Sequence, residues 1–375
     1  MAVVLLILMI LGYGYAVTRR ERVYRQLVAQ GDVALAAGDA AAAVAAFGGA
    51  IARKPDSMVA YLKRGAAHHR QGDLEAAASD LEVASRLDPI SPRAFELRGD
   101  VAYAQRQHDE AIDHFTTSVA LDDRSPRVLY KLGLAQHVAG RATEAHTALT
   151  RAVELDGRFA EAYYLLGLCL RDLNRPRDAE HALKQAVALS PRLTAAREEL
   201  ADLYGAQDRR LARIAELEHL LSADPSAARH VSVAAAYAAA GQTLRAVRLL
   251  RRAADLYPDH ASVYLELGRV WLAASEGGRD KPALDAAADA LQRAAALDAS
   301  GPVLTALGRV YLAAGNRRDA AVTFQRAAAM LPLDPAVFLH LADLADRSGD
   351  TAAAHNARAE YEALSTASRS RAAPR

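Results

Sequence analysis

The same pattern returns about every 34 residues along this chain: "AYLKRGAAHHRQGDLEAAASDLEVASRLDP" (60–89) is echoed by "LYKLGLAQHVAGRATEAHTALTRAVELD" (129–156) and by "AYYLLGLCLRDLNRPRDAEHALKQAVALSP" (162–191). A unit that short cannot bury an apolar face alone. It must stack on its neighbours, so 375 residues need not divide into several separate cores. Aromatic residues make up only 6% of the chain, alanine is abundant and strand-forming residues are scarce, which favours helices throughout and predicts an all-α fold.

Numbered from the start of each unit, the recurring positions have physical reasons. Position 8 holds Gly65, Gly133, Gly167, Gly268 and Gly308, where a missing Cβ lets two helices approach. Position 20 holds Ala77, Ala111, Ala145, Ala179, Ala246 and Ala320, expected to face those glycines from the second helix. Position 15 holds Gly72, Gly140, Gly241, Gly315 and Gly349, where the chain must turn. Position 32 holds Pro55, Pro89, Pro191, Pro225, Pro258 and Pro332, which end the second helix.

This pattern resembles the tetratricopeptide repeat family. The resemblance implies a right-handed superhelical solenoid of about ten helix-turn-helix units over 24–366, counted as 24–57, 58–91, 92–125, 126–159, 160–193, 194–226, 227–260, 261–300, 301–334 and 335–366. Three units depart from the pattern. The sixth carries Ala201 at position 8 and Arg213 at position 20, making 194–226 a candidate hinge. The eighth carries extra residues, "ASEGGRDKPALD" (274–285), expected to form a flexible loop. The tenth has Arg358 at position 24, as a solvated end unit requires, and 367–375 is expected to be a disordered tail.

No motif of a known chemistry is found: no HExxH, GxSxG, GxxxxGK[ST] or GxGxxG after a strand, and no Cys/His spacing suited to a metal. His68 and His69 are adjacent, so on a helix their rings diverge by about 100°. The lone Cys169 lies between two leucines and reads as a small buried hydrophobe. With 46 basic and 45 acidic residues intermixed, no single-sign field exists to hold a polyanion, which argues against nucleic acid. The expectation is a binding protein, not an enzyme, with no cofactor, metal or small-molecule substrate.

By the resemblance, positions 2, 5, 9, 12 and 13 of each first helix line a concave groove. In the third to fifth units these give Arg93, Glu96, Asp100 and Tyr103, then Arg127, Tyr130, Leu134 and His137, then Glu161, Tyr164, Leu168 and Arg171. Tyr130 and Tyr164 recur at one position and Leu134 and Leu168 at another, so stacking would align them as two short ladders. They are expected either to anchor a partner peptide or helix, with Arg93, Arg127 and Arg171 steering acidic segments, or to pack on the neighbouring first helix. The seventh unit offers only Ala228, Val231, Ala235, Ala238 and Ala239. The co-chaperone members of the family hold a C-terminal Glu-Glu-Val-Asp with Lys at position 5 and Asn at position 9. Here Val28, Leu62, Glu96, Tyr130 and Tyr164 stand at position 5, and that function is excluded.

Ahead of the repeats, "AVVLLILMILGYGYAV" (2–17) carries no charge and would extend about 24 Å as a helix. Residues 1–18 are expected to form a transmembrane anchor, with Tyr13 and Tyr15 at the interface and a basic juxtamembrane segment at 19–23. The competing reading is an export leader cut after Gly14-Tyr15-Ala16, against which stands the missing basic segment before the apolar run. Arg19, Arg20, Arg22 and Arg25 keep that side in the cytoplasm by the positive-inside rule, so the anchor reading places the solenoid on the cytoplasmic face of an inner membrane. The layout resembles that of bacterial lipopolysaccharide assembly proteins with cytoplasmic tetratricopeptide repeats, without their rubredoxin-like Cys-pair module. The alternative is a periplasmic assembly factor for envelope polysaccharide or outer-membrane components.

Overall fold

A computed structural model describes residues 2–275, 277–330 and 334–372. Among them there are twenty helices and no strand. They run in pairs whose members pack on each other: α1 (Ala2–Ala36) on α2 (Ala40–Arg53), α3 (Met58–Gln71) on α4 (Leu74–Leu87), α5 (Pro92–Ala104) on α6 (His108–Leu121), α7 (Pro126–Val138) on α8 (Ala142–Leu155), and α9 (Ala160–Asp172) on α10 (Pro176–Leu189). Then follow α11 (Thr194–Ala206), α12 (Arg210–Ala223), α13 (Ala227–Ala239), α14 (Thr243–Leu256), α15 (Ala261–Ala274), α16 (Lys281–Leu297), α17 (Gly301–Ala313), α18 (Arg317–Ala328), α19 (Pro335–Ser348) and α20 (Thr351–Ala372). The pairs match the ten units, so that odd-numbered helices are first helices and even-numbered ones second helices.

Seven of the ten pairs are locked by a large side chain driven into a glycine at position 8, while the sixth, seventh and tenth carry Ala201, Ala234 and Ala342 there. A Cβ on Gly65 would lie 2.7 Å from Leu81 Cγ, on Gly133 2.6 Å from Leu149 Cγ, on Gly167 2.7 Å from Leu183 Cγ, and on Gly308 2.6 Å from Phe324 Cε1. Position 24 therefore fills the space at position 8. The alanine at position 20 contributes by letting its own backbone come close, since a Cβ on Gly65 would also lie 3.3 Å from Ala77 O. Gly31 against Phe47 and Gly99 against Phe115 repeat the device. Phe47, Leu81, Phe115, Leu149, Leu183, Leu250, Leu291 and Phe324 are all fully or almost fully buried.

The turn at position 15 is left-handed in nine of the ten units. Gly38, Gly72, Gly140, Gly241, Gly315 and Gly349 have φ between 74° and 84°, and Arg106, Asn174 and Asp208 take the same conformation at φ 62°, 55° and 55°. The exception is the eighth unit, where the extra residues intervene. Second helices then restart on side-chain caps such as Asp39 and Asp73, which accept from Ala42 N and Ala76 N.

The chain divides into two compact units, Met1–Ala196 and Arg197–Arg375, and the border falls three residues into the sixth repeat. There Arg213 stands where other repeats place alanine, and Gly205, one turn after position 8, supplies the missing space: its Cβ would lie 3.3 Å from Arg213 Cζ. Arg213 Nε is buried and has no hydrogen-bond partner among the described residues.

Three boundaries differ from expectation. The insertion 274–285 is not all loop, because Asp280 caps Ala283 N and Lys281 already begins α16. What remains is tight: Ser275 O accepts from Gly278 N at 2.9 Å and from Asp280 N at 3.1 Å. At the C-terminus α20 continues past 366 to Ala372, since no glycine or proline interrupts it before Pro374. At the other end α1 is one helix of 35 residues, running without a break through the arginines into the first repeat. The transmembrane anchor expected at 1–18 rests on Met1 and on the side chains of 2–8 and 10–13, which lie outside the described residues; among the described residues no helix is long and apolar enough to cross a membrane.

Candidate interaction face

Within the first unit the first helices sit side by side, α3 on α5 and α7 on α9, and side chains tie α5, α7 and α9 into one face. At its centre is Glu96, only 7% exposed. It accepts from Arg93 and from Lys131 Nζ at 2.7 Å, and Arg127 Nη2 stands 3.5 Å away. Lys131 also donates to Asp100 at 2.7 Å. Burial pushes the Glu96 carboxyl up, but the hydrogen bonds and charges of Lys131 and Arg93 outweigh it and hold the group below the ordinary carboxylate range.

Arg93 and Arg127 thus converge on an internal carboxylate, and Arg171 lies 3.0 Å from Asp172. The expected role for these arginines, steering an acidic segment, meets an arrangement in which each already faces an acid. Lys131 was missed because position 6 is not counted among the groove positions. The signal was present: Lys63 and Lys131 share position 6, and each binds an aspartate 31 residues earlier, Asp32 at 2.6 Å and Asp100 at 2.7 Å.

With the charges satisfied, the aromatic and aliphatic side chains give the face its character. Tyr103, Tyr130, Leu134, Tyr164 and Leu168 are all half-buried. Tyr103 meets His108 edge-on at 5.4 Å, and Tyr130 tilts against Phe159 at 5.0 Å. Tyr130 has its phenol pushed up, by burial first and then by Glu161, Tyr103 and Tyr164, so the three tyrosines share one environment. Tyr103 thus packs on the start of α6 and Tyr130 on the residue before α9, while both side chains keep an accessible portion.

His137 Nδ1 stands 3.6 Å from Asp172 Oδ2 and 3.7 Å from Cys169 Sγ. This trio is no nucleophilic site, because Cys169 is fully buried and its thiol is pushed up to about 12, chiefly by that burial. His68 leans toward Asp73 (3.7 Å) and Asp80 (4.0 Å), not toward His69. Among the described residues no group of three or more His, Cys, Asp or Glu could hold a metal ion. In the second unit a cleft of about 630 Å³ lies among α18, α19 and α20. Arg317, Arg347, Asp350 and Glu360 on its walls mix both signs and point to no ligand chemistry.

A family model for the tetratricopeptide repeat matches residues 28–92, 76–126, 96–145, 130–191, 234–302 and 305–370, well over half of the chain. The chain belongs to the tetratricopeptide repeat family. The longest stretch between the matches, 192–233, includes the sixth repeat of this family member, where Ala201 and Arg213 depart from the pattern. Among solved structures it is similar to the MamA protein (23% identity, 46% of this chain and 93% of that one, TM-score 0.42). It is also similar to YrrB, described as a TPR protein with an unusual peptide-binding site (22%, 48% and 93%, 0.44), and to a tetratricopeptide repeat protein from Parabacteroides merdae (17%, 66% and 99%, 0.48). No curated protein matches.

Proposed function

We propose that this tetratricopeptide repeat protein is a scaffold that holds peptides or helices of other proteins on the face formed by α5, α7 and α9, and that it carries out no reaction itself. The observation that carries the reading is the internal charge pairing around Glu96. With Arg93 and Lys131 held by Glu96 and Asp100, the accessible parts of Tyr103, Tyr130, Leu134, Tyr164 and Leu168 are left to provide contact area, and tyrosine does so at low entropic cost. Partners should therefore present apolar or aromatic anchors. In-cell cross-linking with mass spectrometry tests this on Tyr130→Ala with Leu134→Ala and Tyr164→Ala, after circular dichroism shows helicity retained. A defined partner should be lost, and an unchanged set of partners would move the binding surface elsewhere.

The same proposal places the scaffold at the cytoplasmic face of a membrane. The uncharged stretch 2–17 and the arginines after it support this reading. Membrane fractionation together with the amino-terminal sequence of the mature protein tests it: an intact Met1 in the membrane fraction is expected, and a chain that begins after Ala16 would replace it with the exported reading.

A further inference from the structure

No Asp or Glu occurs between Asp224 and Asp255, the longest such interval in the chain, while Arg229, Arg245, Arg248, Arg251 and Arg252 all fall inside it. Four of these arginines lie on α14, a local exception to the mixing of charges along the chain. Ala246, Val247, Leu250 and Ala253 form the buried side of that helix. At about 100° per residue, Leu244, Arg245, Arg248, Arg251, Arg252 and Leu256 all fall within an arc of about 140° on the opposite side, and all are exposed.

The charge on this strip is only partly used. Arg245 donates to Gln242 Oε1 at 2.9 Å and stands 3.5 Å from Glu218, and Arg251 lies over the Trp271 ring at 5.7 Å. Arg248 and Arg252 make no hydrogen bond or ion pair among the described residues. Asp255 is the one acid on the helix. Leucines flank the two unpaired arginines: Leu244 stands one turn before Arg248 and Leu256 one turn after Arg252. Leu244 is 72% exposed, and Leu211, at the same repeat position 18 on α12, is 71% exposed. In the second to fifth repeats that position holds Glu75, Asp109, Thr143 and Arg177. Two consecutive repeats thus project a leucine where the others have a polar side chain, and both helices that carry them pack on α13.

We infer that the outer strip of α14, together with Leu211 of α12, is a docking surface for a bilayer that contains anionic phospholipid. Guanidinium groups pair with phosphate oxygens in a planar, two-point geometry, so Arg248 and Arg252 meet headgroups without any change in their surroundings. Leucines that project beyond the helix enter the boundary between headgroups and acyl chains, where their apolar surface leaves water. The strip lies on the outside of a cylinder, so a peptide laid along it would be covered on one side only. A lipid surface instead takes in projecting leucines and offers many phosphates at once. This contact rests neither on the stretch 2–17 nor on the face of α5, α7 and α9.

The test uses the full chain carrying Ala215→Cys, an exposed position one turn after Leu211, labelled with a polarity-sensitive fluorophore. Cys169 is fully buried and its thiol is pushed up to about 12, so it takes no label. Vesicles of phosphatidylcholine are compared with vesicles that also contain phosphatidylglycerol. The emission should shift to the blue on the anionic vesicles alone and return as salt is raised. Arg248→Gln with Arg252→Gln should weaken this response about thirtyfold in apparent affinity. Leu211→Ser with Leu244→Ser should also weaken it while leaving the preference for anionic lipid. Both variants alter exposed side chains, and circular dichroism checks that helicity is retained. Flotation with the neutral vesicles reports the anchor separately, since insertion of 2–17 needs neither arginine. No shift on anionic vesicles, an equal shift on neutral ones, or a response unchanged by Arg248→Gln with Arg252→Gln would overturn the assignment. So would a shift seen only without vesicles: one that grows with protein concentration gives the strip to a second copy, and one caused by a soluble Glu-rich peptide gives it to a protein segment.

Discussion

Replacing Gly133 by alanine tests the device that packs seven of the ten helix pairs. The new Cβ would lie 2.6 Å from Leu149 Cγ, 2.9 Å from Cδ2 and 3.3 Å from Cδ1. Carbon atoms pack at about 3.5–4.0 Å, so Leu149, itself fully buried, must withdraw by close to 1 Å at its branch point, or α7 must lift away from α8. Overpacking of this kind costs about 1–3 kcal/mol, against a gain of about 1 kcal/mol from the better helix propensity of alanine, leaving a net loss of up to about 2 kcal/mol. Leu149→Ala alone empties the same space and should cost about 3 kcal/mol. In the double variant the added methyl group enters the vacated volume, so its loss should fall well short of the sum of the two, by about 2 kcal/mol. Because repeat arrays unfold unit by unit, hydrogen exchange of the α7 and α8 amides is the appropriate measure, with urea unfolding followed by circular dichroism as a control. Additive single and double losses, or a stabilising Gly133→Ala, would refute the claim that this contact fixes the pair. The consequence reaches the interaction face, since Leu134 follows Gly133 directly and Tyr130 lies one turn before it.

Two further outcomes follow from the same structure. The Glu96 carboxyl is held below its ordinary value of 4.5, so its contribution to stability is fully present above that pH and is lost as pH falls through the lowered value. The difference in melting temperature between the natural protein and Glu96→Gln should be largest near neutrality and shrink in acid; a constant difference would mean that the network does not hold Glu96 as described. At the α5–α6 turn Arg106 occupies a left-handed conformation at φ 62°, where a side chain costs about 1–2 kcal/mol. Arg106→Gly should therefore stabilise the third repeat by about 1 kcal/mol after the greater freedom of glycine in the unfolded chain is counted, as read in chemical denaturation.

Much of the architecture was legible because the repeat states each instruction several times. The glycine at position 8 and the glycine turn at position 15 recur often enough that their meaning does not depend on any single copy. Arg106 could not be recognised as left-handed from its identity, as Asn174 and Asp208 could, yet the period places all three at position 15. The interaction face was less legible. Its positions were found by family resemblance, but the state of the charges was not, because Glu96, Lys131 and Asp100 come together from two repeats and the pairing depends on a helix stacking that no local pattern records. The turn of the insertion was hidden for a similar reason: it looked like slack chain, while Gly278 packs against a carbonyl of the next repeat, Ala313 O.

The unbroken run of α1 has a mechanical consequence. A helix of 35 residues is about 52 Å long, and each residue turns it by about 100°. Val17 and the Tyr24 hydroxyl, which lies 2.7 Å from Ser57 Oγ, therefore belong to one rod. Whatever grips the start of that rod also sets the rotational phase of the first repeats, as a shaft sets the phase of a gear. Removing a single residue between Val17 and Arg22 would shorten the rod by about 1.5 Å but swing its first five turns about 100° around the axis, so length and heading at this end of the protein cannot be altered separately.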